Sequence, residues 1–317
     1  MIRACFRALL LSMAYAVSAE ATSLEQISRQ FLDSEFVFSR TQSDVPFVPL
    51  AWLDVNSYQD TTYRTPSGEV GDLSFRQTSI SEATLFPVLL GRRDALVMGQ
   101  WGTWTRLEST QSQRATEVAN ISLPLGWARQ ASSDWQVAAF VAPSANHSGG
   151  HWYWDYMGGA FARYLGKPRF AWLFGFYGEV TAPEELYVPY VGVTWTIDRH
   201  WTLSAVLPWP AVLYAPTPDW LLRFGLAPSS ASWITEASVQ GNAPQRFRAD
   251  LTSWDLGFRV ERRAWNSLWI GGEAGVSGFR GLAFSSGHGW QEPQGSLHSN
   301  PYLVLTVTFR PSLASAE

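Results

Sequence analysis

The feature that most constrains this sequence is a side-chain period of two, repeated over many short segments, with one bulky face and one small face. In residues 191–197, Val191, Val193, Trp195 and Ile197 alternate with Gly192, Thr194 and Thr196. In 170–179, Phe170, Trp172, Phe174 and Phe176 oppose Ala171, Leu173, Gly175, Tyr177 and Glu179. In 220–226, Trp220, Leu222, Phe224 and Leu226 oppose Leu221, Arg223 and Gly225. In 253–261, Trp254, Leu256, Phe258 and Val260 alternate with Ser253, Asp255, Gly257, Arg259 and Glu261, and 268–277 sets Gly271, Glu273, Gly275 and Ser277 on one face. Such alternation is the signature of a strand, whose successive side chains point to opposite sides of a sheet. A soluble sandwich alternates too, but its polar face meets water. Here that face is glycine, small hydroxyls and isolated charges, while the other is aromatic and aliphatic. This is the pattern of a barrel with lipid outside and a narrow, partly filled polar lumen.

The start of the chain reads as an export signal. Arg3 and Arg7 precede an apolar run over 8–17, and small residues follow. The run is too short to span a bilayer, which needs roughly 20 apolar residues. A signal peptide is expected over 1–19, with cleavage after 21 as the alternative. The only cysteine, Cys5, lies inside it, so the exported chain has no disulfide, thiolate metal site or cysteine nucleophile. Aromatic residues make up 15% and charged residues 16%, the latter against about 25% in ordinary soluble domains. The net charge of −4 excludes a broad basic surface for nucleic acid. Lys167 is the only lysine.

Connections supply an orientation. Short turns are expected at 91–94, 132–134, 166–168, 198–200 and 263–267, and longer polar segments at 109–116, 144–151, 240–245 and 285–300. Short turns on one rim and long loops on the other is the outer-membrane arrangement, with the long loops outside the cell. Tryptophans stand beside turns at Trp135, Trp201 and Trp220, where interfacial girdles place indoles. Runs of the ~9–11 residues that a spanning strand needs give 12 or 14 strands of an all-β, antiparallel up-and-down transmembrane barrel over 47–310. Pro208 and Pro210 interrupt one run; proline cannot donate to a ladder. A segment that folds inward there gives 12 strands, and one that stays in the wall gives 14. Residues 22–46 form an N-terminal periplasmic segment. Within it Ser23 and Gln26 suit a capping box, and Leu24, Ile27, Phe31 and Leu32 share a helical face, which predicts a short helix. The last strand, 302–309, puts Leu303, Leu305, Val307 and Phe309 on one face. It is similar to the C-terminal assembly signal of outer-membrane barrels, without a glycine and with a tail over 311–317.

Three further stretches carry a resemblance. YVPYVGVTW (187–195), LSAVLPWPAVLY (203–214) and LGFRVERR (256–263) resemble a family of uncharacterised Gram-negative outer-membrane β-barrel proteins, one named only as a domain of unknown function. The resemblance implies a barrel and an outer-membrane location, and brings no catalytic residues with it.

Chemistry is sparse. Asn146-His147-Ser148-Gly149-Gly150-His151 clusters groups that a lipid-modifying enzyme could use. Neighbours His147 and Ser148 point to opposite faces if extended, however, and a metal pair of His147 and His151 would need a helix that Gly149-Gly150 opposes. No catalytic set, metal site or cofactor is expected. Strand parity places Glu179, Arg223, Asp255, Arg259, Glu261 and Glu273 in the lumen, either lining a permeation path or forming a salt-bridged filling. The expected roles are a pore or transporter for small solutes, or a structural or adhesive barrel without a conducting lumen. The expected partners are outer-membrane lipid, the barrel-assembly machinery and periplasmic chaperones.

Overall fold

The computed structural model describes residues 30, 33–37, 43–64, 70–109, 115–181, 184–237, 245–285 and 295–310. The expected signal, nearly all of the expected N-terminal helix and the C-terminal tail lie outside them. Among the described residues no helix is long and apolar enough to cross a membrane; strand dominates. In chain order the strands are β1 (Ala51–Arg64), β2 (Val70–Leu89), β3 (Asp94–Ser109), β4 (Ala115–Ser122), β5 (Leu125–Gln130), β6 (Trp135–Ser148), β7 (His151–Lys167) and β8 (Phe170–Thr181). They continue with β9 (Glu184–Thr196), β10 (Trp201–Val206), β11 (Ala211–Tyr214), β12 (Trp220–Ala237), β13 (Gln245–Trp265), β14 (Leu268–Ser285), β15 (Gly295–Leu297) and β16 (Asn300–Phe309).

Successive strands pair antiparallel, and the sheet returns on itself where β16 pairs with both β14 and β1. β4 and β5 are halves of one strand interrupted at Leu123-Pro124. The ladder survives there because the Gly99 N–H donates to the Pro124 carbonyl (3.1 Å) and the Leu123 N–H to that of Pro143 (3.0 Å). β15 and β16 likewise share one position between β14 and β1. The ring is therefore 14 strands round, and the proline-interrupted segment belongs to the wall as β10 and β11.

Parity is as the composition of each face dictates. Trp172, Phe174, Phe176, Val191, Trp195, Phe224, Leu256, Phe258, Leu303 and Leu305 are exposed on the outside. Their neighbours in sequence line the interior, where Ala171, Leu221, Glu261 and Glu273 are buried. Several strands far exceed the ~9–11 residues a bilayer requires; β2 has 20 and β13 has 21.

Two expectations need correction. The first is the long loop over 144–151. β6 runs through Ser148 and β7 starts at His151, so the connection is only Gly149-Gly150, both in the left-handed region (φ 56° and 81°). Two consecutive positive φ values define a tight hairpin turn whose twist matches that of the strands, and glycine adopts them without strain. The second is the polar lumen. Toward the long-strand rim the interior is an apolar cluster of Phe75, Leu107, Val118, Trp233, Leu251, Leu282 and Leu297. Leu251 and Leu282 are only 2% exposed, and burying each is worth about 1.5–3 kcal/mol. Only the end of β2 to β4 nearest that rim is apolar inside, at Phe75, Leu107 and Val118; farther along the same strands Gln77, Ser79, Thr105 and Ser122 are buried polar residues.

The opposite rim carries the short turns. The described part of the N-terminal segment lies across it. Glu35 pairs with Arg93, the Val37 N–H donates to Gln130 Oε1 (3.0 Å), and Asp44 accepts from Arg199 Nε (3.0 Å). Val45 is buried with Ala215, Leu221 and Trp269, and the Phe47 carbonyl accepts from Arg310 Nη1 (2.7 Å). The chain then enters β1. In the turn before β10, Asp198 Oδ1 accepts the N–H groups of His200 (2.7 Å) and Trp201 (2.8 Å), which hold its carboxyl below the usual range.

Closure by β1 and β16 is directly testable. Val55 stands opposite Leu305, and both point outward. Opposed strand residues have Cα atoms about 4.5–5.5 Å apart, within disulfide reach. The V55C/L305C variant should crosslink on oxidation in the folded state. After boiling in SDS the oxidised chain should migrate faster than the reduced chain.

Candidate functional site

The interior divides into a charged side and an aromatic side. The charged side is built by β1, β12, β13, β14 and β16, whose small inward residues leave room for long side chains. Arg259 is its centre, with Nε 2.6 Å from Glu273 Oε2 and Nη2 3.5 Å from Asp54 Oδ2. Arg223 Nη1 is 3.9 Å from the same Glu273 oxygen, and the Tyr302 hydroxyl donates to Glu273 Oε1 (2.5 Å). Toward the apolar cluster, the Tyr58 hydroxyl donates to Asp255 Oδ2 (2.7 Å), and Tyr58 stacks on Tyr302 with centroids 5.4 Å apart. Arg280 lies over the Tyr58 ring and donates to Asn300 (2.7 Å) and Gln77 (3.1 Å). Toward the short-turn rim, Arg310 Nη2 bonds both oxygens of Glu261 (2.9 and 3.0 Å). Four carboxylates (Asp54, Asp255, Glu261, Glu273) thus face four guanidiniums (Arg223, Arg259, Arg280, Arg310). A buried charge must be partnered; each member of this set has at least one partner and the charges are equal in number, while Asp54 Oδ1, Asp255 Oδ1 and Arg280 Nε are buried without a hydrogen bond.

Five of the six lumen charges expected from parity, Arg223, Asp255, Arg259, Glu261 and Glu273, come together here. Glu179 does not; it lies on β8, opposite Met157 of β7 and away from the network. The loop candidates separate as well. Ser148 is fully buried on the inward face of β6. His147 points outward and packs on Trp152, with centroids 4.9 Å apart. His151 faces inward opposite Ser148. His147 therefore reaches neither Ser148 as a base nor His151 as a co-ligand.

The aromatic side was not anticipated. β10 and β11 are only 6 and 4 residues long, so their hairpin stops partway up the wall. β9 pairs with β10 only over Gly192–Thr196, and β11 meets β12 only up to Gly225, with one more bond from the Leu226 N–H to the Pro210 carbonyl. Beyond these points, among the described residues, no strand bridges β9 to β12, and the wall is broken. The turn over 207–210 puts Trp209 into the lumen beside Tyr190 and Tyr177, with centroids 5.9 and 6.4 Å away. Tyr190 meets Phe161 edge-on (5.2 Å), and Phe161 stacks on Phe140 (5.9 Å). Five inward aromatic rings thus run from the break across β9, β8, β7 and β6.

Above the break, β12 leans inward and comes into contact with β4 and β6. The Tyr153 hydroxyl on the lumen face of β7 donates to the Ser232 carbonyl (3.0 Å), and Arg248 lies 5.9 Å from the Tyr153 ring. Arg248 is held by Asp250 at 2.8 Å. Beneath this seam, Asn146 bridges Asn120 (2.7 Å) and Asp155 (2.5 Å). The outer face of β12–β13 therefore meets the inner face of β6–β7. The ring aromatics therefore lie inside the barrel beside the gap between β9 and β12. The sequence signal for it was the shortness of the two segments around Pro208 and Pro210.

No protein-family model matches the sequence, and no curated protein matches it. Among solved structures, the chain is similar to an outer-membrane channel from Pseudomonas putida F1 at 14% identity and a TM-score of 0.45, covering 84% of this chain and 98% of that one. It is similar to a Pseudomonas aeruginosa FadL homologue at 11% identity and a TM-score of 0.43, covering 82% and 89%. It is also similar to the P. putida toluene transporter TodX at 9% identity and a TM-score of 0.37, covering 87% and 93%.

The charged side yields a stability prediction. Glu273→Gln leaves Arg259 and Arg223 short of a counter-charge and should cost on the order of 3 kcal/mol. The double variant R259M/E273M removes the Arg259–Glu273 pair but leaves Arg223 and Asp54 without those partners, and should recover only part of that loss. Urea unfolding in detergent, followed by tryptophan fluorescence, measures both. A close approach gives a second prediction. At Gly257 a Cβ would collide with the Tyr302 hydroxyl and the Glu273 carboxylate. Gly257→Val should therefore destabilise the protein by about 1–3 kcal/mol in the same assay.

Proposed function

We propose that this chain is an outer-membrane β-barrel that passes small, largely apolar solutes through the break in its wall. The observation that carries this reading is the five-ring cluster facing that break. Aromatic side chains bind flat apolar molecules by offset or edge-on contact, and pockets for small molecules are typically apolar with few polar groups. The rest of the interior is filled, by the apolar cluster at one end, the balanced charges in the middle and the N-terminal segment at the short-turn rim. An axial aqueous path has no room on that side. The outward face, aromatic and aliphatic over successive strands, suits lipid. On this reading the short-turn rim faces the periplasm and the long strands project from the cell.

The lumen charges then act as a salt-bridged filling, and Arg163 with Gln136 offers polar contacts toward the periplasmic end of the aromatic side. Arg163 Nη1 donates to Gln136 Oε1 at 3.1 Å. The competing role, a structural barrel without transport, is favoured by the filled lumen and makes the opposite prediction in the same experiment.

Lengthening the hairpin by two strand residues after Val206 and two before Ala211 should close the break. In proteoliposomes, uptake of a radiolabelled monoaromatic hydrocarbon should fall to the protein-free level, while heat-modifiable gel mobility is kept. Planar bilayers should show little ion conductance for either form. Equal hydrocarbon uptake by lengthened and parent chains would sink the lateral route. No uptake by the parent chain would favour the structural role.

A further inference from the structure

A cavity of about 920 Å³ lies on the outside of the barrel at the short-turn rim. Its walls are the outward rings of Tyr164 on β7, Phe170 and Trp172 on β8 and Trp195 on β9. Phe170 stands opposite Trp195 and Tyr164 opposite Trp172, so three adjacent strands contribute. Its lip is the β7–β8 turn, which carries Lys167 and Arg169, both exposed. Acids stand nearby: Asp198 interacts with Arg169, its turn adjoining through the bond from the Thr196 N–H to the Arg169 carbonyl (2.8 Å), and the Asp134 carbonyl accepts the Leu165 N–H (2.7 Å).

The arrangement is amphipathic in one direction. Away from the rim, the floor continues along β8 as Trp172 stacked on Phe174, 6.0 Å apart, and then Phe176, all exposed. Toward the rim stand two cations on a polar turn. Aromatic rings with polar edges settle at the headgroup level of a membrane, and basic side chains there pair with phosphate. Gly166 keeps the site open, because a Cβ at that position would come within 2.5 Å of the Tyr164 ring.

We infer that this cleft holds the phosphate headgroup of an anionic glycerophospholipid. Lys167 and Arg169 take the phosphate, Tyr164, Trp172 and Trp195 enclose the glycerol region, and the acyl chains run down the β8 stripe. The inference rests on the membrane reading above, with this rim in the leaflet that faces the periplasm. It is independent of what passes through the break.

The test uses the full-length exported chain in nanodiscs, with tryptophan quenching by dibrominated phosphatidylglycerol and dibrominated phosphatidylcholine. Native mass spectrometry of the protein released into detergent supplies a second readout. Phosphatidylglycerol should quench more strongly and be retained, and K167Q/R169Q, which removes both charge-assisted contacts, should weaken its retention at least about tenfold. Gly166→Val, which pushes the Tyr164 ring into the cleft, should weaken it too, with Lys167 and Arg169 intact. Heat-modifiable mobility of every variant shows that the barrel has formed. Equal retention of the two lipids, or unchanged phosphatidylglycerol retention in K167Q/R169Q, would overturn the headgroup site while leaving the barrel standing. Displacement of bound lipid by glycerol 3-phosphate as effective as that by phosphatidylglycerol would overturn the lipid assignment in favour of a soluble phosphate ligand. A chain that neither enters nanodiscs nor shows heat-modifiable mobility would instead count against the membrane reading itself.

Discussion

The interaction on which this structure depends is the backbone hydrogen bond between neighbouring strands. In hydrocarbon no water satisfies an N–H or C=O group, and each one left bare costs several kcal/mol, so a sheet can cross a bilayer only by closing on itself. Here the closure is complete around the lower part of the ring, where even the four-residue β11 serves as a strand. Among the described residues it fails above the β10–β11 hairpin. There β12 turns inward, and the Ser232 carbonyl finds a tyrosine hydroxyl in place of a neighbouring strand. The break is thus a redistribution of hydrogen bonds from wall to interior, and it leaves the aromatic rings of β6 to β9 beside the gap.

That redistribution also explains the unequal halves of the lumen. Strands β1, β13, β14 and β16 keep a full ladder and Arg223 lies on the paired part of β12, so these inward residues face one another across a confined space and must neutralise each other. The four-against-four balance follows from that confinement. Strands β6 to β9 face a space that the hairpin only partly fills, and aromatic rings line it. Trp209 is the join between the two regimes, since the prolines that shorten the strands also aim this residue inward.

Much of the barrel was legible in the sequence. The alternation of Trp254, Leu256, Phe258 and Val260 with Asp255, Arg259 and Glu261 gave both the faces and the inward charges, because strand parity is a local property. The strand number was open between two values, since Pro208 and Pro210 allow either a wall strand or an inward excursion, and only the pairing partners of β10 and β11 decide. The 144–151 segment reads as a loop in the sequence because its serines, asparagine and histidines are polar. In fact Ser144, Asn146 and Ser148 are one inward face, and a glycine pair suffices for the turn. The aromatic cluster was hidden for a different reason. Phe140, Phe161, Tyr177 and Tyr190 break the rule that large residues face lipid, and their company is set by strands distant in sequence.

The pairing of β1 with β16 has a consequence for how such a chain is made. The two strands that seal the ring are the first and the last, joined by residues some 250 positions apart, such as Val55 and Leu305. Until the final strand emerges, β1 presents an unpaired edge able to capture any passing strand. The bond from Arg310 to the Phe47 carbonyl sits at the same seam, just outside both strands. It can form only when the two ends of the barrel have found each other, so the last inward arginine acts as a clasp that registers completion of the circle.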